Sequence, residues 1–413
     1  MNHLNSTEIN TAFAALGGLI VLLGLFSGFL KERLFLSDPF IALVAGILLS
    51  PAVFNWVNLS HWGSTKGILE QGARLAIAVQ VVAIALRLPK GYVYQSRRSL
   101  MVLLGLVMPL MWLASGLLAT WLLEVSIWQG MLIGAIVTPT DPVIGSAVVT
   151  GRIAENHLPG RIRNLISLES AANDGLAYPF VWLSILMLTR PTGEAMSHWI
   201  FKTILWEVVG AAIAGTVLGY GLGKLLLWVE QKQTQEKQSF LALTIAFSLL
   251  ILGSIKLLGG DGIFGVFVAG IVFDNTVEGT ERAEETEVQD AIDRFFTILI
   301  FALLGLVLPW QEWIALGWRG VGLAIAILLF RRLPAILLVQ PLMPRLQSIK
   351  DALFVGWFGP IGVAALFYSI LALKQTDFDL AWTVGSLVIC SSVIVHGFTS
   401  TPSTKLYDAN NRE

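Results

Sequence analysis

The sequence predicts an all-α polytopic membrane protein of about thirteen transmembrane helices, built as inverted repeats around two broken, crossing helices. Three observations carry that prediction. Hydrophobic residues make up 55% of the 413 and charged residues only 13%, about half the charged share of a soluble domain, and mean hydropathy is +0.74. Apolar stretches near the roughly 20 residues needed to cross a bilayer recur along the whole chain. A tetrapeptide and a proline motif each recur at nearly the same offset, seven spans apart.

The spans fall at roughly 9–30, 37–56, 67–87, 99–122, 128–150, 164–189, 201–228, 239–258, 260–274, 289–309, 313–340, 347–373 and 380–400. No Lys or Arg precedes the first; Lys31 and Arg33 follow it, the wrong polarity for a cleavable signal peptide. The second span contains Val44-Ala45-Gly46-Ile47 and the ninth Val268-Ala269-Gly270-Ile271. Glu70 and Arg74, four apart at the start of the third, suit a local helix pair. The fifth span holds Thr138-Pro139-Thr140-Asp141-Pro142 and the twelfth Gly359-Pro360-Ile361-Gly362. Because the offset is an odd number of spans, the second unit is inverted relative to the first. Glu207 in the seventh span and His396 in the thirteenth read as satisfied packing groups, and Asp261, flanked by glycines, as a loop end.

Placing the N-terminus outside gives the inner loops roughly three times the Lys and Arg of the outer ones, as the positive-inside rule requires. The loops around Arg87–Arg98 and Arg152–Arg163 dominate that bias; the segment 278–293 is an acidic inner loop that runs against it. The chain reads as one transmembrane domain, 1–413, with transport helices around 128–190 and 313–400 and dimerisation helices among the remainder. A single cysteine, Cys390, excludes a disulfide framework or cysteine metal cluster. A net charge of -1 argues against a nucleic-acid partner, and no cofactor is expected beyond the transported ions.

Proline in mid-membrane leaves a carbonyl without its helical donor, which hydrocarbon tolerates only where the break faces protein or water. Two such breaks in corresponding positions point to a binding site. Asp141 inside the first break needs a positive field, and opposed half-helix N-termini supply one; its expected role is structural and electrostatic. The sixth span carries Leu168-Glu169-Ser170-Ala171-Ala172-Asn173-Asp174-Gly175. At 3.6 residues per turn Ser170 and Asp174 stack on one face, Glu169 and Asn173 on the next. A small, hard cation such as Na+ takes oxygen ligands, and Asp174, Ser170 and carbonyls freed at the fifth-span break could supply them; Thr140 and Asn173 complete the candidate ion-binding set. Positive partners are few: Phe330-Arg331-Arg332-Leu333-Pro334 closes the eleventh span, and a buried arginine there calls for a carboxylate, with Glu169 the expected one. The other arginine could be a snorkelling positive-inside residue.

With these motifs in hand, the chain resembles the sodium/proton exchanger superfamily of monovalent cation/proton antiporters, and within it the fungal plasma-membrane branch. The most specific matches are Thr140-Asp141-Pro142, Glu169 to Gly175 with Tyr178-Pro179-Phe180, and Gly356-Trp357-Phe358-Gly359-Pro360-Ile361-Gly362. The resemblance implies the sodium/proton antiporter fold, a homodimer in the lipid bilayer, and an elevator-like motion of a core against a dimerisation domain. It implies that Asp174 binds the ion or proton, that Ser170 contributes a ligand, and that Glu169 pairs with Arg332 rather than Arg331. Some relatives carry a third-span glutamate at the ion site; Val81-Val82-Ala83-Ile84 here has no acid. Fungal relatives also carry long cytoplasmic tails, whereas this chain stops soon after its last span, so tail-based regulation is expected to be absent.

The function expected is electroneutral exchange of Na+ or Li+ against H+ by competition at Asp174, serving pH and sodium homeostasis, with no enzymatic activity. A K+/H+ exchanger on the same scaffold is the nearest alternative; a cation channel or an intramembrane aspartyl protease using Asp141 and Asp174 are remote ones. A multi-pass protein of a bacterial inner membrane, C-terminus cytoplasmic, is the expected location.

Overall fold

The computed structural model describes residues 6–144, 146–232, 240–277 and 282–409, and among them secondary structure is helical throughout. In chain order the principal helices are α1 (Ser6–Arg33), α2 (Asp38–Leu49), α3 (Thr65–Arg87), α4 (Tyr92–Leu123), α5 (Ile127–Ile136), α6 (Gly160–Leu176), α7 (Tyr178–Thr189) and α8 (Thr192–Val229). They continue with α9 (Phe240–Leu257), α10 (Gly262–Thr276), α11 (Arg282–Gly305), α12 (Trp310–Phe330), α13 (Leu333–Val339), α14 (Ile349–Trp357), α15 (Val363–Thr376) and α16 (Asp379–Ala409). Seven described helical segments are long and apolar enough to cross a membrane, and five further apolar helices are shorter. Length and composition therefore do not by themselves confirm thirteen crossings.

The reasons for the short helices are local. α2 stops at Leu49 because Pro51 follows, and the chain folds back through Trp56 N–H on Leu49 O at 3.1 Å. Both helices that lead into the breaks start on a capping box: Ser126 with Gln129 for α5, Ser348 with Asp351 for α14. Each then ends just before its proline motif, at Ile136 and at Trp357. The acidic segment also differs from its expected form. Residues 278–281 lie outside the described residues, but the chain from Arg282 is the start of α11, not a loop, as its run of good helix formers favours.

The packing repeats the exchange that the sequence offset predicts. Exchanging α2 for α10 and α3 for α11 turns the α2–α11 pair into α10–α3, and both pairs are in close contact, as are α3 and α11 themselves. Small residues let the backbones approach: a Cβ on Gly46 of α2 would lie 2.1 Å from Ala302 O of α11, and one on Gly219 of α8 2.4 Å from Ala269 O of α10, so any larger side chain separates the helices. Outward, Leu25, Phe29, Trp121, Ile213 and Trp318 are exposed, the surface a lipid-facing rim requires. Inward, α3, α6 and α15 are buried along most of their length and enclose the two breaks.

Candidate ion-binding site

Between Ile136 and the next helical turn the chain runs without helix through Val137-Thr138-Pro139-Thr140-Asp141-Pro142, and between α14 and α15 through Phe358-Gly359-Pro360-Ile361-Gly362. The two stretches cross in contact. Asp141 N–H donates to Pro360 O at 2.8 Å, and Ile361 N–H to Ser392 Oγ at 2.7 Å. The Asp141 carboxylate accepts from both sides of the crossing, Oδ1 from Val143 N–H and Oδ2 from Val363 N–H, each at 3.0 Å. It therefore closes the N-terminal end of α15 and its own break with one side chain, the placement the macrodipole argument anticipates. Gly362 is required by this contact: a Cβ there would lie 2.2 Å from Asp141 Oδ2.

The adjacent arginines divide the remaining work. Arg332 meets Glu169 in a two-pronged pair, Nη1 to Oε1 at 2.8 Å and Nη2 to Oε2 at 2.9 Å, with 3% and 2% of the side chains exposed. This is the geometry in which a buried pair satisfies itself. Arg331 does not snorkel; it is 3% exposed. Its guanidinium donates to Val137 O, to Thr138 O and Pro139 O at 3.3 Å, and to Gly359 O. These are the carbonyls that the broken helices orphan, so those of Val137, Thr138 and Pro139 are held by a cation belonging to the protein rather than left as spare ligands for a transported one. Nothing in the run Phe330-Arg331-Arg332 announces that division; it depends on which helix faces each side chain.

The remaining polar groups form one net. Thr140 Oγ1 lies 2.9 Å from Ser170 Oγ and accepts from Asn173 Nδ2 at 2.8 Å, while Thr140 N–H donates to Asn173 Oδ1 at 3.0 Å. Asn173 Nδ2 also reaches Glu169 Oε1 at 2.9 Å. Asp174 stands apart. Its backbone O accepts from Tyr368 Oη at 2.6 Å, but the carboxylate Oδ1 is buried with no hydrogen-bond partner. Tyr368 was not expected from sequence; a tyrosine in an apolar span carries no signal of its partner. Thus Thr140, Asp141, Glu169, Ser170, Asn173, Asp174, Arg331 and Arg332 all come together.

Outside the crossing, Glu70 pairs with Lys374 on α15 instead of Arg74. His396 is satisfied by Ser392 and by Trp357 O at 3.0 Å, and Glu207 by Tyr178 Oη at 3.2 Å. Asp261 caps α10 through Ile263 N–H and Phe264 N–H.

Comparison with known proteins gives the family. The sodium/hydrogen exchanger transmembrane family matches residues 18–406. The chain is 33% identical over 428 residues to Na(+)/H(+) antiporter 2 of Zygosaccharomyces rouxii, covering 96% of this chain and 53% of that protein. A more distant likeness, 26% over 299 residues, is to the K(+)/H(+) antiporter NhaP2 of Shewanella oneidensis, covering 71% and 50%; the chain thus spans about half the length of either relative. Three relatives that match 96% of the chain are yeast proteins, and a bacterial inner membrane finds no support in them. The fold matches the solved sodium proton antiporter MjNhaP1 from Methanocaldococcus jannaschii with a TM-score of 0.74 at 19% identity, covering 94% of this chain and 99% of that one. The multi-pass helical chain, its two crossed breaks included, belongs to the sodium/hydrogen exchanger family.

Proposed function

We propose that the protein exchanges Na+ or Li+ for H+, one for one, by competition at Asp174, and so contributes to pH and sodium homeostasis. The observation that carries this is the unpartnered Asp174 Oδ1, set among charges that are otherwise matched: Glu169 with Arg332, Asp141 with backbone N–H groups, Arg331 with backbone carbonyls. A carboxylate with one buried, unpartnered oxygen takes one positive charge, a proton or a dehydrated cation, and the hydroxyl of Ser170, one turn back on the same helix, with that of Thr140 bonded to it at 2.9 Å, would ligate the latter. Asn173 is neutral and adds no second exchanging charge. Loaded, the site is neutral and crosses; empty, it does not. One pH unit, about 1.4 kcal/mol, then balances about a tenfold sodium gradient.

The helices around 128–190 and 313–400 act in this scheme as the moving core, the remainder holding a homodimer in the bilayer with the N-terminus outside and the C-terminus cytoplasmic. The Z. rouxii relative's description as a Na(+)/H(+) antiporter favours sodium. K+/H+ exchange is the second reading, favoured by the Shewanella likeness and by a ligand set whose oxygens do not fix ion size. The test is cation-dependent proton flux in proteoliposomes at clamped potential over Na+, Li+ and K+, wild type against Asp174→Asn. Exchange in wild type that vanishes in Asp174→Asn is the expected result, and the ion series names the substrate; undiminished exchange in the variant removes Asp174 from the role.

A further inference from the structure

A cavity of about 250 Å³ opens on the side of the molecule that carries Arg87 and Arg152 and reaches Val143, two residues past Asp141. At roughly 30 Å³ of liquid volume per water it has room for about eight, enough for a cation with most of its hydration shell. Basic and acidic side chains line it in equal number, Arg152 and Glu32 included, but they pair unevenly. Lys31 and Arg294 share one carboxylate, Asp38, at 2.9 and 3.0 Å. Asp290 and Asp293 share one guanidinium, Arg87, and not evenly: Asp290 holds it at 2.6 Å, Asp293 at 3.3 Å. Asp293 is the more enclosed of the two, its side chain 6% exposed, and its Oδ1 is buried with no hydrogen-bond partner. Like Asp174, and like Asp261 whose Oδ1 caps α10, it is a carboxylate in a predicted span with one buried oxygen that has no hydrogen-bond partner; of the three, Asp293 is the one that lines this cavity. One turn on, Thr297 lines the same cavity, its hydroxyl donating to Asp293 O at 2.6 Å and accepting from Gln80 Nε2 at 2.8 Å. That chain of bonds fixes the helix turn on which Asp293 sits.

We propose that Asp293 is a second cation-holding carboxylate, a waystation at which a partly hydrated monovalent cation is held on its passage between this cavity and Asp174. The proposal rests on the antiport reading above. A purely structural counter-ion of Arg87 explains less, because Asp290 already meets that guanidinium at close range and a second buried carboxylate is costly unless something positive visits it. The third helix supplies no acid here, Val81 to Ile84 being apolar and buried; Asp293 on α11 offers one from the opposite wall of the α3–α11 contact.

The test uses the full chain in proteoliposomes sorted by orientation, with Na+ titrated separately at each face. Asp293→Asn is expected to raise the apparent KM for Na+ about tenfold at the cavity face, with maximal rate and the KM at the other face unchanged, as loss of electrostatic focusing does. Asp293→Glu restores the wild-type value. Arg87→Gln, which releases Asp293 from its only ion-pair partner among the described residues, lowers the KM at that face. Equal changes at both faces, no change, or an Arg87→Gln variant that raises KM as Asp293→Asn does would each overturn the inference. Wild-type exchange abolished by Asp174→Asn verifies the reading beneath it independently, and a wild type that exchanges nothing removes both.

Discussion

Asp141 in the first break and Asp174 on the neighbouring α6 are both aspartates of the candidate site, and they differ in how much of each carboxylate is already bonded. Asp141 spends both oxygens on backbone N–H groups from two breaks that are far apart in sequence. Asp174 sits on an unbroken turn of α6, tethered through its main chain by Tyr368, and leaves Oδ1 uncommitted. Depth in the membrane alone therefore does not distinguish the two; the number of oxygens already bonded does. Glu169 makes the same point from the other side, since it is as deep as either and fully consumed by Arg332 and Asn173.

Activity and stability should therefore rank these residues in opposite orders. The largest expected effect is in flux: Asp174→Asn loses exchange altogether, whereas Asp141→Asn, which keeps a side-chain acceptor for one of its N–H donors, retains measurable exchange in the same vesicles. Breaking the buried ion pair comes next. Glu169→Gln should cost about 3–5 kcal/mol because it leaves Arg332 charged and unpaired, read as thermal unfolding in detergent. Asp141→Ala should cost about 1–3 kcal/mol through two orphaned donors, while Asp174→Asn should unfold at or slightly above the wild-type temperature. If Asp174→Asn proves the least stable of the three, the contrast between spent and unspent carboxylates is wrong. Smallest of all, Glu124→Gln, which removes an exposed pair with Arg319, should change stability by no more than about 1 kcal/mol.

Much of this was legible before any coordinates. The two breaks are written as Pro139 and Pro360, the scarcity of buried cations pairs Glu169 with one of Arg331 and Arg332, the family resemblance alone naming Arg332, and Asp141 at a broken helix has a clear electrostatic purpose. What could not be read depends on which faces meet. Arg331 and Arg332 are neighbours in sequence, yet one turns to a carboxylate and the other to four carbonyls. Glu70 finds Lys374 across the packing rather than Arg74 on its own helix. The 278–293 segment looked like a loop by its charge, but Asp290 and Asp293 lie on α11 against Arg87. In each case the local pattern was chemically sensible, and a tertiary partner outcompeted it.

The Arg331 contacts also order events during biogenesis. Its acceptors at Val137, Thr138 and Pro139 leave the ribosome nearly two hundred residues before it, and the Gly359 acceptor follows 28 residues after. Until Arg331 has been inserted the early carbonyls lack this donor, and until Gly359 has followed the guanidinium lacks one of its four acceptors. The shell of the first break is thus completed only by residues from the last third of the chain.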